Sequence, residues 1–578
     1  MINALTFSSP LTQIRRKPLT KPFIAALCVL FLAATHYFQH NPGGAGLVLS
    51  FNAMAWIPFG LALALGVAEI CRQHTLRYTR LTQVLFISCI LLTIPLFYPD
   101  AEPLLAAQRI LGLWLGLLFF VCLQQFAFSH PQRQFLLWLV LVAVWIEAVF
   151  GWTQFLWLEP GNAIGYDTEV NRPYGIFQQP NVMASFLATG LVLSAYLLAR
   201  TAMYRGKWNW QQVILLLTPP LTIPLLVVIA SRTGWLGAAV GVVLILPYLR
   251  KFAPKAPRRL WFLMVLLGLA AGNYFLQSVN TDLIEHKTSL ETARSATIPQ
   301  TWELFTERPF AGWGYGRFEP TYMVETAKQY HAGLTDKPPL ASMDHPHNEL
   351  LYWAVEGGIV PLAGLLLAAT VVLLNVMEAR SGTKLALVAL FLPITLHSQL
   401  EYPFYHSLVH WLVFILLIYW VDNLTAKYER RAIKYTLGLK LFALTLPLAV
   451  AYVSITTLYS GAMLTKYETT KPNNPDYLSK VNNTWVWRDR LDWDIYTTQL
   501  ELGIKRNRPD LIESYIKWAE NKAVLWPRAA LYQNLILAWR HLGNEARAEQ
   551  IREEAEFIFP GKRFAASKAL PAVTAPEA

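Results

Sequence analysis

The sequence predicts an all-α polytopic membrane protein, and three observations carry that expectation. Hydrophobic residues make up 54% of the 578-residue chain and charged residues only 15%, with a positive mean hydropathy, far from the balance of a soluble domain. The apolar residues are gathered into runs long enough to cross a hydrocarbon core of ~30 Å as helices. Lys and Arg cluster in alternate connections between those runs, as expected where cationic loops are retained on the cytoplasmic side.

Measured against roughly 20 apolar residues per crossing, the chain offers about thirteen spans. They fall near 22–38, 51–71, 81–98, 107–127, 134–157, 181–199, 211–229, 234–250, 260–279, 349–375, 384–400, 406–423 and 439–459. The first run follows Arg15, Arg16, Lys17 and Lys21 and lacks a small-residue cleavage site, so it reads as a retained helix rather than a signal peptide. Besides this basic N-terminus, Arg72/Arg77/Arg80, Arg200/Arg205/Lys207, Arg250/Lys251/Lys255/Arg258/Arg259 and Lys427/Arg430/Arg431/Lys434 fall on one face. The net charge of +12 is therefore mostly topological and calls for no nucleic-acid partner. Cys28, Cys71, Cys89 and Cys122 sit in or beside apolar runs without paired spacing, which suits small core residues better than a disulfide or zinc framework.

The opposite face, read as periplasmic, receives loops 39–50, 99–106 and 158–180, a corner at Ser231 to Thr233, and the long stretch 280–348. It also receives the corner 401–405 and everything after about 460. This divides the chain into a transmembrane part, 1–459, which contains the large loop 280–348, and a C-terminal periplasmic helical domain, 460–578. The unusual polar sequences all land on that face: "NRPYGIFQQPN" (Asn171 to Asn181), "SRT" (Ser231 to Thr233), "DHPHNE" (Asp344 to Glu349) and "LEYPFYH" (Leu400 to His406). Their convergence predicts one shared site at the outer surface of the membrane.

Most of these residues have a structural alternative. Arg172 fits an interfacial anchor as well as a ligand for an anion. Arg232 separates two apolar spans and has to be solvated or paired. Gln178 and Asn181 flank Pro180 before a span, where helix capping competes with substrate binding. Tyr402 and Tyr405 suit an aromatic belt as well as a site, and Glu401 at a span end suits plain solvation. Glu147 is the one clearly intramembrane carboxylate, either a packed structural group or a support for the site.

In "ASMDHPHNELLYW" (Ala341 to Trp353), Pro346 suits the first position of a helix, which starts the tenth span there and puts His347 and Asn348 in its first turn. The positive end of a helix favours neutral imidazole, the form a general base needs. Two histidines with only Asp344 nearby make a poor metal site, so neither metal nor cofactor is expected.

The segment "HPHNELLYWAVEGGIVPLAGLL" resembles the signature of the O-antigen ligase and polymerase superfamily, in which an H-x-H-N motif ends a large periplasmic loop and runs into a helix with an E-x-G continuation. "RPYGIFQQPNVMASFLA", "SRTGWLGAAVG", "PFAGWGYGRF" (Pro309 to Phe318) and "LEYPF" resemble its other motifs, in the family's order. The combination of FQQPN, LEYP and a long polar C-terminal part most resembles bacterial O-oligosaccharyltransferases of the PglL type. The resemblance implies en bloc transfer of a glycan from undecaprenyl pyrophosphate, in the bacterial inner membrane, to Ser or Thr of periplasmic proteins such as pilins, with inversion at C1. It implies His347 as base, Gln178 and Tyr402 as further catalytic groups, and Arg172 and Arg232 on the pyrophosphate, with Tyr405 an alternative to Tyr402. Asn181, His345, Asn348, Glu401 and Tyr405 complete the expected binding set.

The C-terminal "RAALYQNLILAWRHLGNEARAEQIREEAEFIFPG" has apolar residues at helical spacing and resembles one tetratricopeptide-like helix pair, with Arg508 to Trp526 as a possible preceding helix. One such pair cannot bury its own face, so it should pack on neighbouring helices or on the long loop, as an acceptor platform or a structural cap. The final "AASKALPAVTAPEA" has the composition of a disordered end. A lipopolysaccharide O-antigen ligase or an O-antigen polymerase would use nearly the same site with a sugar acceptor. A lipid-linked glycan transporter would explain many spans, but calls for more mid-membrane charge than this chain offers.

Overall fold

Eleven helices among the described residues are long and apolar enough to cross a membrane, and two shorter apolar helices, Thr20–His36 and Lys384–Ser398, lie at the first and eleventh expected spans. The computed structural model describes residues 18–201, 209–277 and 293–564. The basic residues Arg15 to Lys17, Arg205 and Lys207, the start of the long loop and the Ala/Pro-rich end lie outside the described residues. The protein is an all-α polytopic membrane protein with one small exception, a two-stranded ribbon.

In chain order the elements are α1 (Thr20–Leu32), α2 (Ser50–Gln73), β1 (Thr75–Tyr78), α3 (Arg80–Thr93), α4 (Pro103–Gln125), α5 (His130–Leu156) and α6 (Pro180–Leu198). Then come α7 (Trp210–Ile229), α8 (Arg232–Phe252) and α9 (Lys255–Leu276), followed by two helices in the long loop, α10 (Ala293–Glu307) and α11 (Phe318–His331). The chain returns to the membrane through α12 (Glu349–Gly357), α13 (Ile359–Glu378), α14 (Lys384–Ser398), the single turn α15 (Pro403–His406) and α16 (Leu408–Thr425). Strand β2 (Glu429–Ala432) and the long α17 (Leu437–Thr469) precede four polar helices, α18 (Arg488–Arg506), α19 (Pro509–Leu525), α20 (Ala529–His541) and α21 (Glu545–Ile558).

Local chemistry sets the boundaries. Thr79, Ser129 and Asn209 start α3, α5 and α7 with capping boxes, each satisfying a first-turn N–H that has no partner inside its helix. Helix α7 ends at Ala230, which turns left-handed at φ +52, and Ser231 caps α8 immediately, so the expected Ser231 to Thr233 corner shrinks to Ala230 and Ser231. The expected span 349–375 is broken at Gly358 (φ +71), where no side chain fits because a Cβ would collide with the carbonyl of Phe310. The expected span 439–459 is part of a helix of 33 residues that carries the chain well beyond an apolar core.

Side-chain contacts sort the connections onto two faces. On one, β1 pairs antiparallel with β2 and sets Arg77 opposite Arg430, while Lys251 Nζ donates to the Ser381 carbonyl. On the other, Gln39 donates to the Leu458 carbonyl (2.8 Å), the His40 ring meets the Ala163 carbonyl (2.8 Å) and Asn52 donates to the His406 carbonyl (2.7 Å). The first face carries the basic loops and the second the polar motifs.

The C-terminal segment holds four helices: the expected pair, the preceding helix over Pro509–Leu525, and one more, α18, ahead of them. Connections of two or three residues fold each helix back on its neighbour. They share one apolar core with the long loop: Leu304, Phe318, Tyr322 and Met343 pack with Trp493, Tyr515 and Leu535. The sides of this joint body are linked by the buried Arg528–Glu319 ion pair (2.7 Å) and by stacking of His331 on Phe557 (4.4 Å).

Candidate functional site

The loop between α5 and α6 is moulded around two buried side chains of α5. Glu147, only 1% exposed, accepts the Ile176 N–H (2.8 Å) and pairs with His36 Nδ1 (2.5 Å). Gln154 accepts from the N–H groups of Tyr174 (3.0 Å) and Gly175 (2.8 Å) and donates to the Gly175 carbonyl (2.9 Å). Glu147 is therefore a structural support. It is not the only buried carboxylate within an apolar helix: Glu69, Glu356 and Asp422 are others.

Gln178 follows in a left-handed conformation (φ +57), a strained state for a residue with a side chain and one that recurs at functional positions. Capping of α6 falls to Gln179, whose side chain accepts the Asn181 N–H (3.1 Å), so neither Gln178 nor Asn181 is the cap. Arg172 Nη1 donates to the carbonyls of Ile229 (2.7 Å) and Ala230 (3.3 Å). That fastens the loop to the end of α7 and replaces the interfacial anchor. Arg232 is the first residue of α8, two residues from Gly234, which lies directly on Ala184 of α6.

The histidine motif differs from its expected geometry. Helix α12 begins at Glu349 rather than Pro346, because the Asn348 carboxamide accepts the Leu351 N–H (2.9 Å) as N-cap and His347 turns left-handed at φ +56. His347 thus stands before the helix. Its own N–H donates to His345 Nδ1 (2.9 Å), and its ring Nδ1 lies 3.1 Å from Glu401 Oε2. Glu401 is 8% exposed and takes a second bond from Asn181 Nδ2 (3.1 Å), so it is buried and bonded rather than merely solvated. Asn348 Nδ2 donates to the Gln399 carbonyl (3.1 Å). The α14–α15 corner is closed by His406, whose ring meets the Phe177 carbonyl (2.7 Å) of the α5–α6 loop.

The two tyrosines separate. Tyr402 lies with its ring 5.4 Å from His347 and 5.3 Å from His345, whereas the Tyr405 hydroxyl donates to Glu349 (2.7 Å). Burial, then the charges of Asp344 and Glu401, hold the Tyr402 phenol well above the usual range, so it acts only as a neutral hydrogen-bonding group. Burial, then the neighbouring His347 and Arg109, pushes His345 well below the usual imidazole value. His345 is a neutral acceptor for the backbone of His347.

Two groups of residues escaped the sequence reading. Arg109 of α4 is buried, pairs with Glu356 (2.5 Å) and is faced by Tyr315, Tyr352 and Trp353 at 4.6, 4.5 and 4.3 Å. Glu356 also accepts the N–H groups of Gly316 (2.9 Å) and Phe318 (3.0 Å), while Trp313 and Gly314 donate to the last carbonyls of α12. The glycine-rich segment "GWGYG" is therefore clamped onto the break at Gly358. Below the site, inside the apolar helices, Ser185 Oγ lies 2.7 Å from His397 Nδ1 and 3.1 Å from His410 Nε2, and His410 Nδ1 lies 3.0 Å from Ser407 Oγ. This chain staples α6, α14 and α16 together directly beneath Asn181, Glu401 and Tyr402. The signal for Glu356 was present in E-x-G, but its partner lies 247 positions away.

The structure thus joins His347, His345, Asn348, Glu401, Asn181 and Tyr402 in one cluster. Gln178 looks into an adjacent pocket, Arg172 is tied to carbonyls, and the Tyr405 hydroxyl is drawn to Glu349. Among the described residues, no group of three or more His, Cys, Asp or Glu is arranged to hold a metal ion.

An imidazole beside a buried carboxylate at the edge of a helical bundle is a pair able to accept a proton from a hydroxyl. Residues 221–366 match the O-antigen ligase family, residues 385–573 the C-terminal part of virulence factor membrane-bound polymerases, and residues 173–198 the protein glycosylation ligase family. No curated protein matches the chain. Fold and matches define a membrane-embedded, glycosyl-transferring ligase. The three matches together support the PglL-type O-antigen ligase superfamily.

Proposed function

We propose that this protein is a protein O-oligosaccharyltransferase of the bacterial inner membrane. It moves a glycan en bloc from undecaprenyl pyrophosphate to Ser or Thr of periplasmic proteins such as pilins, with its site on the periplasmic face. The observation that carries the reading is the chain Asn181–Glu401–His347. With Nδ1–H donated to Glu401, the His347 Nε2 lone pair is left to accept a proton. The acceptor oxygen attacks C1 of the first sugar, its proton passes to His347 Nε2, and the C1–oxygen bond to pyrophosphate breaks with the electron pair on the leaving group. Attack opposite the leaving group inverts C1. Arg232, with Arg172 supporting the α7–α8 corner, stabilises the departing pyrophosphate. Tyr402 and Gln178 orient the reacting groups.

The acceptor class is supported by the protein glycosylation ligase match over the α5–α6 loop and by the body that α18–α21 form with the long loop, which offers a surface for a protein. A second reading, transfer to a sugar hydroxyl as in an O-antigen ligase or polymerase, is favoured by the matches to those two families.

The test is the intact mass of a pilin-type acceptor made in cells that supply an undecaprenyl-linked glycan. Wild-type protein adds a glycan-sized mass to Ser or Thr, and His347→Ala lowers the rate by roughly 10²–10⁴-fold. Glycan appearing on lipid A, or as longer lipid-linked chains, would transfer the assignment to the second reading. Full activity of His347→Ala would remove the proposed base.

A further inference from the structure

A pocket of about 130 Å³ lies beside the site, between the segment that follows α1 and the α5–α6 loop. Phe38, Phe150 and Tyr174 supply ring surface, and His40, Tyr174 and Gln178 supply hydrogen-bonding groups. None of its ten lining residues is Lys, Arg, Asp or Glu. The pocket is preformed, because both walls are fastened to one buried carboxylate. Glu147 holds Ile176 on one side and His36, two residues before Phe38, on the other. A Cβ at Gly175 would strike that same carboxylate.

The polar groups are also left open. Among the described residues, neither the Tyr174 hydroxyl nor the Gln178 amide has a hydrogen-bond partner, and the left-handed backbone at Gln178 is the strained conformation that presents this amide. His40 directs Nε2 to the Ala163 carbonyl, which leaves Nδ1 as an acceptor.

The geometry points to a subsite for the first sugar ring of the lipid-linked donor. Ring faces combined with hydrogen-bonding donors and acceptors match a polyhydroxylated ring, and a lining without Lys or Arg suits a sugar better than pyrophosphate. The pocket is smaller than the roughly 300–1,000 Å³ of sites for drug-sized ligands, so it takes one sugar residue and leaves the rest of the glycan outside. Its position matches: Gln178 is three residues from Asn181, which bonds Glu401 beside His347. All of its lining comes from the first loop, α5 and the α5–α6 loop, and none from the body proposed to receive the acceptor. This inference rests on the lipid-linked donor of the proposed function and is independent of the acceptor.

The test is binding of the full-length protein, by native mass spectrometry, to undecaprenyl pyrophosphate alone and to undecaprenyl pyrophosphate bearing glucose, galactose or N-acetylglucosamine. Wild-type protein should bind at least one sugar-bearing lipid about tenfold more tightly than the bare lipid. Ile164→Trp, which fills the pocket, and Tyr174→Phe, which removes its free hydroxyl, should reduce that advantage while leaving affinity for the bare lipid unchanged, which also reports that they fold. No advantage for any sugar in the wild type, or an advantage that survives Ile164→Trp, would overturn the subsite alone. Failure to bind any of the lipids would overturn the donor reading, and the subsite with it.

Discussion

The two walls of the site are held by opposite means. The wall carrying Gln178 and Asn181 is set from within the membrane helices, by Glu147 and Gln154 reading backbone groups of the α5–α6 loop. The wall carrying His347 is set from outside, by an apolar core in which Met343 packs with residues of α18 to α20 and by the clamp of Glu356 on the glycine-rich segment. Buried hydrogen bonds fix the position of a few backbone atoms closely, whereas a packed core fixes a whole segment through area. The wall carrying Gln178 is thus rigid by local bonding, and the segment leading into His347 is held by a body built largely outside the spans.

The largest effect that could break this contrast is Glu147→Ala. Removing one partner of a buried pair, with the Ile176 N–H left unmet, should cost roughly 3–5 kcal/mol, and Glu147→Gln about 1–3 kcal/mol, read from unfolding in mixed micelles. Near-neutral stability of Glu147→Ala would show that the α5–α6 wall is not held by bonding.

Leu535→Ala comes next, at about 2–5 kcal/mol for a buried leucine. Its loss should appear as exposed amide hydrogens in α10, α11 and α18–α21 by hydrogen exchange, with the membrane helices unchanged. Spread of the exchange into α5 and α6 would merge the two walls into one unit.

Glu401→Gln keeps a hydrogen-bond acceptor beside His347 but removes its charge. Transfer should fall by about tenfold, equivalent to ~1.4 kcal/mol, with kcat carrying the change and KM for the donor unaffected. A change confined to KM would assign Glu401 to binding.

The smallest effect concerns Glu319, which burial pushes up to about 7 even with Arg528 alongside. The folded protein keeps this proton where the unfolded chain has lost it, so the contribution is complete below the ordinary carboxylate value and is lost as pH rises through about 7. Between pH 5 and 8 the joint body should lose stability in the wild type, and Glu319→Gln should flatten that slope. Equal slopes in the two proteins would place the titration elsewhere.

What could be read from the sequence was what depends on order along the chain. Charge in short connections and spacing of apolar runs placed the helices, and the polar motifs carry the residues His347, Asn181, Glu401 and Tyr402 that the fold gathers into one cluster. Partners across long separations could not be read, because periodicity says which face of a helix is apolar and nothing about what meets it. Arg109 drew no reading from the sequence, because its partner Glu356 lies 247 positions away. Glu401 looked solvated until His347 and Asn181 closed on it. The helix start was misplaced at Pro346 because a proline suits the first turn in general, whereas here the Asn348 cap and the left-handed His347 decide the local backbone.

The shared core of the long loop and the last four helices also bears on the order of synthesis. Ribosomes deliver the chain from its N-terminus, so "DHPHNE" is made well before Trp493, Tyr515 and Leu535, which complete the core around Met343. A chain halted after α17 owns every described membrane-crossing helix and the clamp of Glu356 on the glycine-rich segment, but leaves Leu304, Tyr322 and Met343 without their C-terminal partners. The segment that leads into His347 therefore gains its outer packing last, after the bond from His347 to Glu401 has both of its partners in the membrane.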